Sequence, residues 1–161
     1  MKKKKVIFVC LGNICRSPSA EAVFKKLIKD EGLDDKIEVD SAGTIDYHTG
    51  EPSDMRMQKH AAERGYSLNH LARQINPEKD FSEADYIITM DDENYNDIIS
   101  LDPQGKFRDK VFKMSQFADK IKFNEVPDPY YKGPEGFEEV LDLLEDSCMV
   151  LLKKIKDDLG M

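Results

Sequence analysis

The chain has 161 residues, 40% of them hydrophobic and 35% charged, so one domain built on a single core is expected. A net charge of −8 and a pI near 5.0 argue against a general nucleic-acid binder, though not against a locally basic pocket. No apolar run approaches the roughly 18 residues of a membrane span, and the apolar residues after Lys2–Lys5 are too few for a signal-peptide core of about 7–15.

Val6-Ile7-Phe8-Val9-Cys10 is apolar and mostly β-branched, which predicts a first strand over residues 5–10, with the lysines before it as a solvated lead-in. A loop with Gly12 and Asn13 leads to Ser17-Pro18, which reads as an N-cap followed by Pro at the first helical position. Ala20, Val23, Phe24, Leu27 and Ile28 then recur at helical spacing, and Gly32 stops the helix. Residues 37–42 predict a second strand, ending at Gly43. A strand–helix–strand unit of this kind sets its two strands parallel. After a loop over 43–52, Ser53 is the expected cap of a helix over 54–64. Residues 66–83 read as irregular, with one helical turn after Pro77. Tyr86-Ile87-Ile88-Thr89-Met90 is the near-continuous run of a buried parallel strand, and Asp91 looks like the cap of a helix to Ser100. Residues 111–114 predict a short fourth strand. The three prolines of 123–134 predict a loop of fixed shape, and the apolar stripe from Phe137 to Ile155 predicts a last helix over 134–158. The fold class is therefore α/β: a three-layer, doubly wound domain over residues 1–161, with a central four-stranded parallel sheet and a phosphate loop between first strand and first helix. Ligands of such sheets sit beyond the carboxyl ends of the strands, where Cys10 lies.

The chemistry of that stretch follows from its residue types. A loop feeding a helix N-terminus points N–H groups into one concavity and favours an anion there. Arg16 adds a planar fork matched to phosphate oxygens. Cys10 beneath it would be held as a thiolate by the helix dipole, the N–H groups and the guanidinium, and would be a nucleophile aimed at phosphorus. Three cysteines, Cys10, Cys15 and Cys148, without a signal peptide suit free thiols in the cytosol. The three histidines, His48, His60 and His70, form no zinc-type spacing with them, and no metal or other cofactor is expected. His48 and His60 read as surface residues, and Cys148 as core.

Cys10-Leu11-Gly12-Asn13-Ile14-Cys15-Arg16-Ser17 resembles the signature of the low-molecular-weight protein tyrosine phosphatases, and Asp128-Pro129-Tyr130-Tyr131 resembles their second signature. Asp40-Ser41-Ala42-Gly43, Ala72-Arg73-Gln74-Ile75 and Met90-Asp91 are similar to further strings of that family, so the likeness spans nearly the whole chain. The resemblance implies hydrolysis of phosphotyrosine in proteins, and of small aryl phosphates, through a cysteinyl-phosphate that releases inorganic phosphate. It implies Cys10 as nucleophile, Arg16 and the loop amides from Leu11 to Ser17 as the phosphate cradle, and Asp128 as general acid. It further implies support from Asn13, Ser17, Ser41 and His70, an Asp91 that orients Arg16, and a reversible disulfide between Cys15 and Cys10 under oxidation. Tyr47, Tyr130 and Tyr131 would wall a slot deep enough for phosphotyrosine. Tyr47 stands where many relatives carry Trp, a residue this chain lacks. A monomer is the expected form, with no nucleic acid and no membrane among its partners. The alternatives are an arsenate reductase, disfavoured because residues 70–100 hold no relay cysteine, a phosphocysteine carrier, and a non-catalytic phosphotyrosine- or oxyanion-binding module.

Overall fold

Val6, Ile7, Phe8 and Val9 are wholly buried, as a strand covered on both faces must be. In the computed structural model, which describes residues 2–161, this run is part of β1 (Lys4–Cys10), an inner strand of a four-stranded sheet. The chain continues through α1 (Arg16–Asp30), β2 (Ile37–Gly43), α2 (Met55–Glu63), α3 (Pro77–Glu83), β3 (Tyr86–Thr89), α4 (Asp92–Ser100), β4 (Val111–Lys113) and α5 (Pro134–Asp158), with 3₁₀ turns on either side of β4. All pairings are parallel, in the order β2-β1-β3-β4. The first crossover carries the chain from β1 to β2 on one side, and the chain then passes to β3 on the other. The switch point therefore falls at the carboxyl end of β1, where Cys10 pairs with Gly43.

Successive residues of β1 serve opposite cores. Val6 and Phe8 enter the larger one with α1, α2 and α5, where Phe24 meets Phe8 edge-on at 5.8 Å between ring centroids. Ile7 and Val9 enter the smaller one with Phe81 of α3 and Ile98 of α4. The three-layer, doubly wound reading thus describes the molecule. No helix among the described residues is long and apolar enough to cross a membrane.

Three local expectations are corrected. Ser17 is not the cap of α1: the helix begins at Arg16 with Cys15 in the cap position and no side-chain cap bond, and the Ser17 hydroxyl turns inward to Cys10. Pro18 is accordingly the third helical residue, still inside the first turn, where its missing N–H costs nothing. The cap of α2 is Asp54, not Ser53. Its carboxylate accepts from the N–H groups of Arg56 and Met57 and also grips the Arg56 side chain, a combination a hydroxyl cannot supply. Residues 77–83 form a seven-residue helix rather than one turn. The helix is too short for periodicity to show, but Asn76 accepts from the Lys79 N–H and Pro77 stands at its start.

Candidate active site

Beyond Cys10 the backbone must turn sharply to reach α1, and Asn13 absorbs the turn at φ = 60°, where a side chain that bonds locally lowers the cost. Its amide is fully engaged. Nδ2 donates to Ser17 Oγ at 2.8 Å and to Ser41 Oγ at 3.0 Å, while Oδ1 accepts from His70 Nε2 at 2.8 Å and from the Arg73 N–H at 3.0 Å. The Ser41 hydroxyl, already an acceptor, donates to Glu21 Oε1 at 2.6 Å. Gly43 leaves room for the loop, since a Cβ there would stand 2.7 Å from the Leu11 carbonyl oxygen.

Cys10 is buried, 3% exposed, and its sulfur lies within hydrogen-bond distance of the Ser17 hydroxyl. Ser17 Oγ accepts from Asn13, and its own hydrogen has two acceptors in reach, the sulfur at 3.0 Å and the Ala42 carbonyl at 3.5 Å, of which the sulfur is the nearer. Among the described residues the backbone N–H groups from Gly12 to Cys15 meet no protein acceptor, and those of Arg16 and Ser17 belong to the first turn of α1. Of these residues, Gly12, Ile14, Cys15 and Arg16 line the same cavity as Cys10.

Arg16 is buried and divided in function. Nη1 donates to Asp91 Oδ2 at 2.6 Å and to the Val126 carbonyl at 3.1 Å. Nε has no partner in the protein, and Nη2 comes no nearer than 3.8 Å to Asp128. The edge that matches a phosphate bidentately is thus the edge left unused. Burial alone would lower the pKa of this guanidinium. The Coulombic influence of Cys10, the Asp91 hydrogen bond and charge, and Asp128 outweigh it and raise the pKa. Asp91 serves two elements, because its other oxygen accepts from the Asn94 N–H and caps α4.

Asp128 stands across the pocket on the loop before α5, half-exposed, its Oδ1 accepting from the Tyr130 N–H. A cavity of about 320 Å³ opens between this loop and Cys10. Tyr47, Tyr130 and Tyr131 line it with Leu11 and Ile14 of the loop, and so do Ile45 and His48, which the sequence reading missed. His48 is not a plain surface residue. It is seated against Gly12, edge-on to Tyr47 at 4.7 Å, with Nδ1 3.3 Å from Glu51. His60 is also largely covered, stacked on Phe137. Glu21, Asp40 and His70 lie close enough to suggest a metal site. Each already has protein partners, among them Lys25, Ser41, Arg73 and Asn13, so they form an ion-pair network behind the loop. Cys15 lines the pocket next to Cys10. Burial, then the Coulombic influence of Asp54, Cys10 and Asp128, hold its thiol protonated well above the usual range, opposed by Arg56.

Fold and site together define a doubly wound α/β protein whose oxyanion cradle is built on one cysteine and one arginine at the end of the first strand. Residues 5–160 match the family model described as low molecular weight phosphotyrosine protein phosphatase, and the chain belongs to that family. It is 41% identical over 151 residues to the low molecular weight phosphotyrosine protein phosphatase of Gallus gallus, covering 94% of this chain and 95% of that one. A protein tyrosine phosphatase from Entamoeba histolytica, crystallised with Hepes in its active site, superposes with a TM-score of 0.94 at 46% identity, covering 97% of this chain and 99% of that one. A Drosophila arginine phosphatase superposes with a TM-score of 0.83 at 32% identity, covering 94% and 98% respectively.

The Asn13 amide makes a direct test of the cradle. Asn13→Ala should destabilise the fold by about 2–4 kcal/mol, through unpaired buried partners and backbone strain. Asn13→Gly should cost about 1 kcal/mol less, since glycine accepts a positive φ. Urea unfolding measures both, and equal losses would show that the backbone strain is immaterial.

Proposed function

We propose that this chain, as one unit over residues 1–161, hydrolyses phosphotyrosine in proteins and small aryl phosphates. The observation that carries the reading is the unpaired Nε edge of buried Arg16 in the same cavity as Cys10, on a loop whose amides from Gly12 to Cys15 meet no protein acceptor. In the first step Cys10 attacks phosphorus as the P–O bond to the phenol breaks, and Asp128 delivers a proton to the leaving oxygen. Arg16 and the loop amides hold the equatorial oxygens as charge spreads. In the second step Asp128 takes a proton from water, the water oxygen attacks phosphorus, and the S–P bond breaks to release inorganic phosphate. The Ser17 hydroxyl steadies the departing sulfur, and Asn13, Ser41, His70 and Asp91 keep cradle and arginine in shape.

The walls favour an aromatic phosphate. Tyr47, Tyr130 and Tyr131 give ring surfaces at the mouth, and Leu11, Ile14 and Ile45 give apolar sides. A phosphoserine would be too short to reach Cys10 from that rim. A phosphoarginine, the substrate type suggested by the Drosophila relative's name, would bring a cationic guanidinium to walls whose single carboxylate is Asp128. Arsenate reduction is disfavoured because Cys148 is wholly buried in the core, its thiol pushed up by burial, and cannot relay electrons. One copy holds every residue of the site, so the reading needs no second chain. Three free thiols support a reducing cytosol as its compartment.

In a side-by-side assay, turnover is expected with a phosphotyrosine peptide and not with a phosphoserine peptide, phosphoarginine or arsenate. Cys10→Ser should abolish turnover of aryl phosphate while inorganic phosphate still binds, and retained turnover would refute the nucleophile. Asp128→Asn should lower kcat/KM by about 10²–10⁴-fold for phenols that leave poorly and far less for those that leave well. An equal loss for both would count against the acid. Peroxide should convert Cys10 to a sulfenic acid, with which the Cys15 thiol condenses to a disulfide, expelling water. Peptide mass spectrometry should find that Cys10–Cys15 bond, and a Cys10 oxidised only to sulfinic or sulfonic acid would reject it.

A further inference from the structure

The general acid sits on a segment with few attachments. Val126 is fixed, its N–H donating to the Met90 carbonyl and its own carbonyl accepting from Arg16. From Pro127 to Lys132 the backbone hydrogen bonds stay inside the loop: Tyr130 N–H to Asp128 and Lys132 N–H to the Pro129 carbonyl. Such bonds shape the loop without stating where it lies over Cys10.

Besides Arg16, whose Nη2 lies 3.8 Å from Asp128, a side chain of α2 reaches it. The Arg56 guanidinium lies over the Tyr130 ring, Cζ 5.0 Å from the centroid, and over the Phe137 ring at the same distance. Tyr130 is two residues from Asp128, and Phe137 belongs to the first turn of α5, where the loop ends. The guanidinium is itself held as a fork: Nη2 donates to Asp54 Oδ2 at 2.9 Å and Nε to Asp54 Oδ1 at 3.2 Å. Phe137 is braced from its own side by the ring of His60, one turn beyond Arg56 on α2, stacked at 5.3 Å. A column therefore runs from α2 to the acid loop, with a fixed planar cation bridging the loop's tyrosine and the start of α5. About half of the Arg56 side chain is exposed, so the core does not need it.

We propose that Arg56 is a positioning residue for the general acid, setting the height of Asp128 above the thiolate through its cation–π contact with Tyr130. The inference rests on the phosphatase reading above. It separates Arg56 from a rim residue that only binds substrate, because a misplaced acid penalises substrates according to how much proton they need.

The test measures kcat/KM for a series of aryl phosphates whose phenols differ in acidity, since this parameter reports the step in which the P–O bond breaks. Wild-type turnover is measured first and checks the phosphatase reading on its own. For Arg56→Met, kcat/KM should fall about tenfold with the least acidic phenol and less than about twofold with the most acidic. Arg56→Lys, which keeps a cation without the fork, should recover part of the loss. Asp54→Asn keeps the cap of α2 but releases one arm of the fork, and should show a smaller loss with the same dependence on the leaving group. In an Asp128→Asn background Arg56→Met should have no further effect. With an active wild type, a loss uniform across the phenols, no loss, or a full additional loss in the Asp128→Asn background would each overturn the proposal. Thermal unfolding of Asp54→Asn and Arg56→Lys verifies that folded proteins are being compared.

Discussion

An amide with four hydrogen bonds and a positive φ holds the site together. Asn13 ties the loop to α1 through Ser17, to β2 through Ser41 and to the 66–76 segment through His70 and Arg73. Because it donates to Ser17 Oγ, it also leaves the Ser17 hydrogen free for the sulfur. Backbone geometry, tertiary anchorage and stabilisation of an anionic sulfur thus depend on one side chain, and none of its bonds can be exchanged without leaving a buried group unpaired.

Charge is arranged around this frame in layers. Behind the loop, Glu21, Asp40 and Asp80 pair with Lys25 and Arg73, and Glu21 also lies 3.3 Å from His70 Nδ1. In front, Arg16 shares its positive charge between Asp91, which has a structural claim on it, and the open side of the cradle. The chain's net charge of −8 is therefore no guide to the pocket, where a guanidinium and oriented amides set the local field.

Most of this was legible in the sequence wherever residue type and spacing act locally. The β1 run, the α5 stripe, Asp91 as a cap and the loop from Cys10 to Ser17 all announce themselves. The failures have physical causes. Ser17 and Pro18 carry a genuine helix-start signal, but the hydroxyl is worth more against the Cys10 sulfur than as a cap, so the helix begins without one. Ser53 and Asp54 are both capping residues, and only the carboxylate can also hold Arg56. His48 lacked any local signal. Its place in the pocket wall depends on the packing of the 43–52 loop against Gly12, a contact between residues 36 positions apart. Arg56 was silent for the same reason, since the rings it touches lie more than 70 residues downstream.

The double engagement of Asp91 limits how the sequence can drift. Its Oδ1 begins α4 and its Oδ2 holds Arg16, so position 91 answers to two selections at once. Asparagine would satisfy the helix and forfeit the charge. Glutamate would keep the charge but move it a methylene further from both claimants. A residue under two such demands can be replaced only if a neighbour first takes over one of them, so this carboxylate should change late, and in company, as the protein diverges.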